Sequence, residues 1–245
     1  MKKNIILIIF IIIFLIIWEY AASYSSAINY FVSSPTASFD YARINYLNLL
    51  NSTITTSLEA ILGLIIATVF SFAIMFICLI YPKILKIILP IFVTSQVLPI
   101  ITLAPFFIIL FGMGILSKIA MVVLMCFFPV FVNFSAGVNS ISNETKELLY
   151  TYDANKYFTI FKIILPLSTP NIFTGLKLGT TMAMMGAIVV EFLGAIDGLG
   201  KNLYLAPKNS KPELMVCSIV LTVFLGWFLF KTVEKLEKKI GKWYI

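Results

Sequence analysis

Residues 60–80 read AILGLIIATVFSFAIMFICLI, 21 positions without a charged side chain. A helix rises 1.5 Å per residue, so a run of about 20 apolar residues crosses the roughly 30 Å hydrocarbon core of a bilayer. This run belongs to a predicted span over 57–81, and five more segments read the same way, over 5–22, 88–111, 115–138, 172–195 and 213–230. The whole chain agrees with them. Of its 245 residues 60% are hydrophobic and 12% charged, Phe alone occurs 22 times, and the mean hydropathy is +1.02. Soluble domains carry about a quarter charged residues, and a soluble chain of this size could not hide so much apolar surface. Lipid tails remove that requirement. No polar stretch is long enough to bury a core of its own. The expectation is an all-α integral membrane protein forming one domain over 1–245.

Two spans need comment. The third, 88–111, contains Pro90, Pro99 and Pro105. Proline inside a spanning helix frees backbone groups that neighbours must satisfy, so this span is expected to be kinked and packed against protein. The first follows Lys2-Lys3 and ends near Ala21-Ala22 in the manner of a signal peptide. Trp18-Glu19-Tyr20 is a poor approach to a cleavage site, and the segment is read as an uncleaved span.

Lys and Arg concentrate on cytoplasmic sides. With the N-terminus inside, twelve of the 18 basic residues fall in inner segments, Lys177 sits at the inner end of the fifth span, and five lie outside: Arg43, Lys118, Lys201, Lys208 and Lys211. Both termini are then cytoplasmic. The net charge of +7 is distributed by topology, without the basic groove and stacking aromatics of a nucleic-acid site. Cys78, Cys126 and Cys217 lie in or beside apolar runs without metal-ligand spacing, and there is no histidine. They read as small buried hydrophobes.

The longest inner connection, 139–171, suits two short helices joined by a turn. Ser142 or Asn143 can cap the first and Glu144 fits its first turn. Asp153 and Asn155 tolerate turn backbone. In the second, Tyr157, Phe158, Ile160, Phe161, Ile164 and Leu165 share a face, with Lys156, Thr159 and Lys162 on another. Such a helix fits a partner's groove or the headgroup layer of a membrane, and the residues alone leave both open. On the outer side, Ser33-Ser34-Pro35 signals a turn before a semi-amphipathic stretch over 36–50.

In this loop the sequence resembles the inner-membrane permeases of binding-protein-dependent ABC importers, closest to the branch for nitrate, sulfonate, taurine and thiamine-precursor uptake. Glu147-Leu148-Leu149 stands for that family's Glu-Ala-Ala, Asp153 for its glycine, and Ile163-Ile164-Leu165-Pro166 for its Ile-x-Leu-Pro ending. Trp18-Glu19, Ser34-Pro35-Thr36, Leu103-Ala104-Pro105, the run 111–119, Phe127-Phe128-Pro129, Ala136-Gly137-Val138, Glu191-Phe192-Leu193-Gly194-Ala195 and Gly198-Leu199-Gly200 follow in the family's order and spacing. The resemblance implies a type I ABC importer permease-like (MetI-like) fold with six transmembrane helices in the inner cell membrane. It implies a partner ABC ATPase that uses ATP and Mg, an extracytoplasmic solute-binding protein, and a second permease, either another copy or a similar chain. No cofactor is expected on this chain. The loop would be the coupling helix, with Glu147 anchoring it and Leu148, Leu149, Tyr150 and Phe158 filling the ATPase groove. Asp153, Phe161 and Pro166 complete that set.

Polar groups inside a span are functional candidates by default. Glu191 near the outer end of the fifth span is the clearest, either on the solute path or holding the outer loop through Lys201 or a backbone donor. The second role has the greater weight. Thr94, Ser95 and Gln96 fit a path or helix-to-helix hydrogen bonds, with Pro105 beside them. Gly175 and Gly179 make a GxxxG spacing, continued by Ala183, Gly186 and Ala187, which permits close helix approach. The resemblance puts Gly179, Ala183 and Gly186 at the pore and dimer interface, while packing within the subunit fits any one of them equally. The Gly-Leu-Gly-Lys at 198–201 misses the spacing of a phosphate-binding loop, and Asn202 replaces its Ser or Thr, so the chain is expected to be a transport subunit without an ATPase site. The alternatives are an ATPase-independent channel or secondary transporter, a membrane-embedded enzyme, or a degenerate permease. The first would call for paired intramembrane charges or an inverted repeat, which the sequence does not display.

Overall fold

The computed structural model describes residues 2–24, 33–142, 144–145, 155–194 and 196–241. Among them every regular element is a helix: α1 (Lys2–Tyr24), α2 (Pro35–Ile44), α3 (Tyr46–Ile80), α4 (Pro82–Ser95), a 3₁₀ turn (Ile100–Leu103), α5 (Ala104–Phe111), α6 (Ile115–Asn139), α7 (Lys156–Gly194), α8 (Leu199–Lys208) and α9 (Pro212–Gly241). Helices α3, α6, α7 and α9 are each long and apolar enough to cross a membrane. The pair α4 and α5 meets that standard only if taken together, and it bends by 87°. Helix α1 is apolar over Ile9–Ala22. The fold is thus all-helical, with four to five apolar candidate spans among the described residues.

The centre is built by α3, α6 and α7. Helices α6 and α7 run antiparallel, and glycines set their separation. A Cβ on Gly175 would lie 2.9 Å from the Pro129 carbonyl oxygen, one on Gly186 3.1 Å from the Val122 Cα, and one on Gly137 3.0 Å from the Ser168 Cβ. Without these side chains the two backbones close up, and dispersion contacts do the work that water-driven burial does elsewhere. The same layer holds Ala60, Ala67, Val122, Cys126, Ala183, Met184 and Ala187 in one buried cluster. Towards the far end of α3, Met75, Cys78, Phe131, Phe134 and Ile172 form a second cluster. Phe92 of α4 meets Phe127, Phe128 and Phe131 edge-on, with centroids 5.2, 5.9 and 5.1 Å apart.

Several boundaries differ from expectation. The second span starts well before 57, because α3 is helical from Tyr46. The stretch 36–50 divides at Asn45 into α2 and the first turn of α3. The third span is kinked, as three prolines require, and one side of it packs against protein, where Ile84, Leu85, Ile88, Leu89 and Phe92 meet the second buried cluster. No residue of α4 is fully buried, and its other side faces outward. The largest correction concerns the loop 139–171. Its second helix is not separate: α7 begins at Lys156 and passes through a π-helical turn (Ile160–Ile164) and Pro166 into the fifth span. The widened turn absorbs the proline, which lacks the N–H that an α-helical ladder would need there. Ser142, one of the two expected caps, is in place, and Asn155, expected only as a turn former, caps α7. Asn155 Oδ1 accepts from Tyr157 N at 2.9 Å, and Ser142 Oγ accepts from Thr145 N at 3.2 Å.

Ser34 caps α2 with Pro35 at the first helical position, its hydroxyl oxygen accepting from Ala37 N. Glu19 at the end of α1 accepts from Thr36 N at 3.1 Å and from Thr36 Oγ1 at 2.6 Å. The separate sequence features Trp18-Glu19 and Ser34-Pro35-Thr36 are therefore two halves of one contact.

Candidate functional site

At the α8 end of the bundle, four segments bring charged and polar groups into an apolar interior. Thr56 and Glu59 stand one turn apart on α3, a spacing that puts both on one face. Lys118 comes from the first turn of α6 and Glu191 from the last turn of α7. The turn over residues 197–200 leads into α8. Glu59 and Glu191 are each 1% exposed and Lys118 is 5% exposed.

Lys118 Nζ donates to Glu59 Oε1 at 2.5 Å and to the Asp197 carbonyl oxygen at 3.1 Å. Glu191 Oε2 accepts from Gly200 N at 2.7 Å, and Glu191 Oε1 accepts from the Thr56 hydroxyl at 2.7 Å. Thr56 Oγ1 accepts in turn from Leu199 N at 2.9 Å. Asn202 Nδ2 donates to Ser52 Oγ at 3.0 Å. Helix α8 has no side-chain cap of its own, since its cap residue is Gly198. Its first amides would be orphaned in a buried setting, and a carboxylate from α7 and a hydroxyl from α3 replace the missing cap. The negative charge also sits at the positive end of the α8 dipole.

Gly198 explains why the approach is so close. Its φ is +125° and ψ 168°, a region open essentially to glycine alone. A Cβ there would overlap the Glu191 carboxyl, and one on Gly200 would lie 2.6 Å from the Glu191 Cβ. Glu191-Phe192-Leu193-Gly194 and Gly198-Leu199-Gly200 are the two sides of this junction. Of the two roles read for Glu191, the structure gives it a backbone donor that holds the connection to α8. Lys201 is not its partner: that ammonium bonds the Ile196 carbonyl oxygen and stands 3.8 Å from Asp197 Oδ1.

Glu59, Lys118 and Thr56 were not singled out by sequence reasoning. A signal existed for Glu59, a lone carboxylate within the predicted span 57–81. Lys118 was read as an outer-side charge, whereas it is buried and ion-paired. Paired charges at the edge of the spans do therefore occur, and only the fold brings positions 59 and 118 together. At the opposite end Lys177 is bonded by both Glu237 oxygens, at 3.2 and 2.9 Å, which ties α7 to α9.

The other predicted residues are dispersed. Gly179, Ala183 and Gly186 are buried within the subunit: a Cβ on Gly179 would meet Leu64, and one on Gly186 would meet Val122 and Met125. Thr94 and Ser95 donate to backbone carbonyls of their own helix, Pro90 and Phe92. Gln96 and Pro105 are exposed on the bent span. Phe158 and Phe161 are exposed on the first turns of α7, where Phe161 lies 5.6 Å from Phe76. Pro166 is half-buried inside α7. Glu147, Leu148, Leu149, Tyr150 and Asp153 lie outside the described residues.

Four long apolar helices and a bent apolar pair, with charged side chains drawn to the two ends, define a polytopic integral membrane protein. The chain belongs to the family of binding-protein-dependent transport system inner membrane components, which matches residues 80–241. It is 36% identical over 155 residues to the formylaminopyrimidine transport permease protein of Halalkalibacterium halodurans, covering 63% of this chain and 62% of that one. It is 29% identical over 224 residues to a probable ABC transporter permease protein of Haemophilus influenzae, covering 90% of both. It is 29% identical over 154 residues to the riboflavin transport system permease protein of Chloroflexus aurantiacus, covering 63% and 58%. The chain thus spans less than two thirds of the first and third of these relatives. Relatives named for formylaminopyrimidine, taurine and nitrate transport represent the branch expected from the motifs.

Proposed function

We propose that this chain is the transmembrane permease subunit of an ABC importer, moving a small organic solute inward by alternating access. The observation that carries the reading is the family match from residue 80 to 241, which takes in the bent span, the inner connection and the whole of α6 to α9. In this reading α1 and the α4–α5 pair each cross the membrane, giving six spans with both termini cytoplasmic. The exposed face of α4 and α5 is where a second copy packs. A separate ATPase binds and hydrolyses ATP with Mg, and an extracytoplasmic binding protein delivers the solute at the α8 end. The segment 144–166 seats in the ATPase groove, with Glu147 as its anchor. Because α7 runs unbroken from Lys156 into the fifth span, a push on the groove would tilt the whole helix.

The test is purification of the tagged protein from its native membranes in mild detergent, with its companions identified by mass spectrometry. The expected result is an ABC ATPase that is lost on charge reversal at Glu147 or on deletion of residues 146–156. If no ATPase is found even after cross-linking, the importer reading fails and an ATPase-independent channel or a degenerate permease takes its place.

A further inference from the structure

The charge count at the α8 end does not balance. Two carboxyls, Glu59 and Glu191, meet one ammonium, Lys118, and all three are at least 95% buried. The remaining charged groups of the neighbouring segments do not enter. Asp197 turns its side chain outward at 71% exposure, with Lys201 beside it. On α9, Glu213 lies one turn from Cys217, whose thiol donates to the Ser38 carbonyl oxygen of α2. A second, independent observation concerns the oxygens. Glu59 Oε1 has Lys118, and both Glu191 oxygens have donors, but Glu59 Oε2 is buried without any donor. Glu59 stands one helical turn from Thr56, whose hydroxyl reaches the Glu191 carboxyl at 2.7 Å, so Glu191 is the neighbouring group on that face. Two carboxylates cannot hydrogen-bond each other, and a buried acceptor left unsatisfied is costly.

We propose that Glu59 and Glu191 share one proton, making the junction a proton-binding site. The proton supplies the donor that Glu59 Oε2 lacks and brings the cluster to zero net charge. Each carboxyl oxygen has two acceptor sites, so Glu191 can hold the proton without losing Thr56 or Gly200. Release of the proton to water leaves a buried net charge of one, with two carboxylates repelling each other against a single ammonium. Protonation binds the folded junction and not the unfolded chain, in which both carboxyls are ionised at neutral pH. Stability therefore falls as pH rises through the release of this proton.

The experiment uses the full chain in lipid nanodiscs. Infrared spectra in H₂O and D₂O are recorded from mildly acidic to alkaline pH, beside thermal unfolding over the same range. The expected result is a protonated-carboxyl carbonyl band at neutral pH that shifts in D₂O, disappears as pH rises, and is absent from both Glu59→Gln and Glu191→Gln. In each variant an amide N–H takes the place of the proton and one carboxylate still faces one ammonium. Both variants should hold their unfolding temperature while losing the alkaline decline of the parent. The double variant leaves Lys118 unpaired and should lose more than the two single losses added together. A parent spectrum without the band at neutral pH overturns the proposal even if no variant folds, and so does a band that survives in both single variants. Neither readout involves transport, so the permease reading stands or falls separately.

Discussion

Lys118 shows what one residue can demand of its neighbours. Taking an ammonium out of water costs several kcal/mol, and the cost is recovered only with good geometry and further hydrogen bonds. Here Glu59 at 2.5 Å and the Asp197 carbonyl at 3.1 Å provide them. Removing one partner strands the other. Lys118→Met should lower stability by about 3–5 kcal/mol, whereas Lys118→Met with Glu59→Leu should recover much of that loss. Unfolding in detergent, followed for both variants, checks the order. Equal loss in the single and double variants would mean that packing and not charge holds the junction. The pair was legible only in part. Glu59 is conspicuous as a carboxylate in an apolar run, but nothing near position 59 announces position 118. Lys118 also has an ordinary local reading, as a charge at the end of a span.

Among the elements, the α6–α7 contact is the most constrained. Gly175 faces the Pro129 carbonyl, the Val130 Cα and the Asn133 Cβ, all within 3.1 Å of a built Cβ. Two of these are backbone atoms, which cannot turn aside as a side-chain end can. Gly175→Ala should therefore destabilise by about 1–3 kcal/mol. Gly226→Ala, whose nearest neighbour is Met184 Cγ at 3.6 Å, should change stability by no more than about 0.5 kcal/mol. Thermal unfolding of the two alanine variants side by side tests the contrast. Small residues at a spacing of four mark a helix that will be approached closely, and the sequence shows them clearly. It does not say by what. A pore, a second copy and a neighbouring helix all accept the same pattern, and α6 was the answer for Gly175. The run 156–166 was harder still. Its apolar face fits a partner's groove or a membrane surface and Pro166 reads as an ending, while the π-turn that carries the helix onward has no periodicity of its own.

For the whole molecule, apolar side chains dominate the outside. Ile65, Val69 and Phe70 on α3, Ile109 on α5, and Val223, Phe224 and Trp227 on α9 are all exposed, a surface suited to lipid or to a second copy. In the proposed topology the termini lie on one side of the membrane and α8 on the other. A cysteine introduced at Asn209 should be labelled by an impermeant reagent in intact cells, and one at Gly241 only after permeabilisation. The native background is low, because Cys78, Cys126 and Cys217 are all buried. Labelling of both positions from the same side would overturn the topology.

What the sequence determined by itself follows from quantities that are local or additive. Hydrophobic runs of bilayer length, a lack of charge, Ser33-Ser34-Pro35 as a turn signal, Ser142 as a cap and the prolines that bend the third span each depend on a few neighbouring residues. Motif order was enough to place the chain in its family, because the spacing of motifs survives where their contacts are unseen. Tertiary structure alone decided which distant groups meet. It brought Thr56, Glu59, Lys118 and Glu191 to the first turn of α8 and joined Glu19 to Thr36. It also set Gly175 against α6. Burial is a property of the assembled helices: a carboxylate becomes expensive, and so selective about its partners, only when other segments have removed its water.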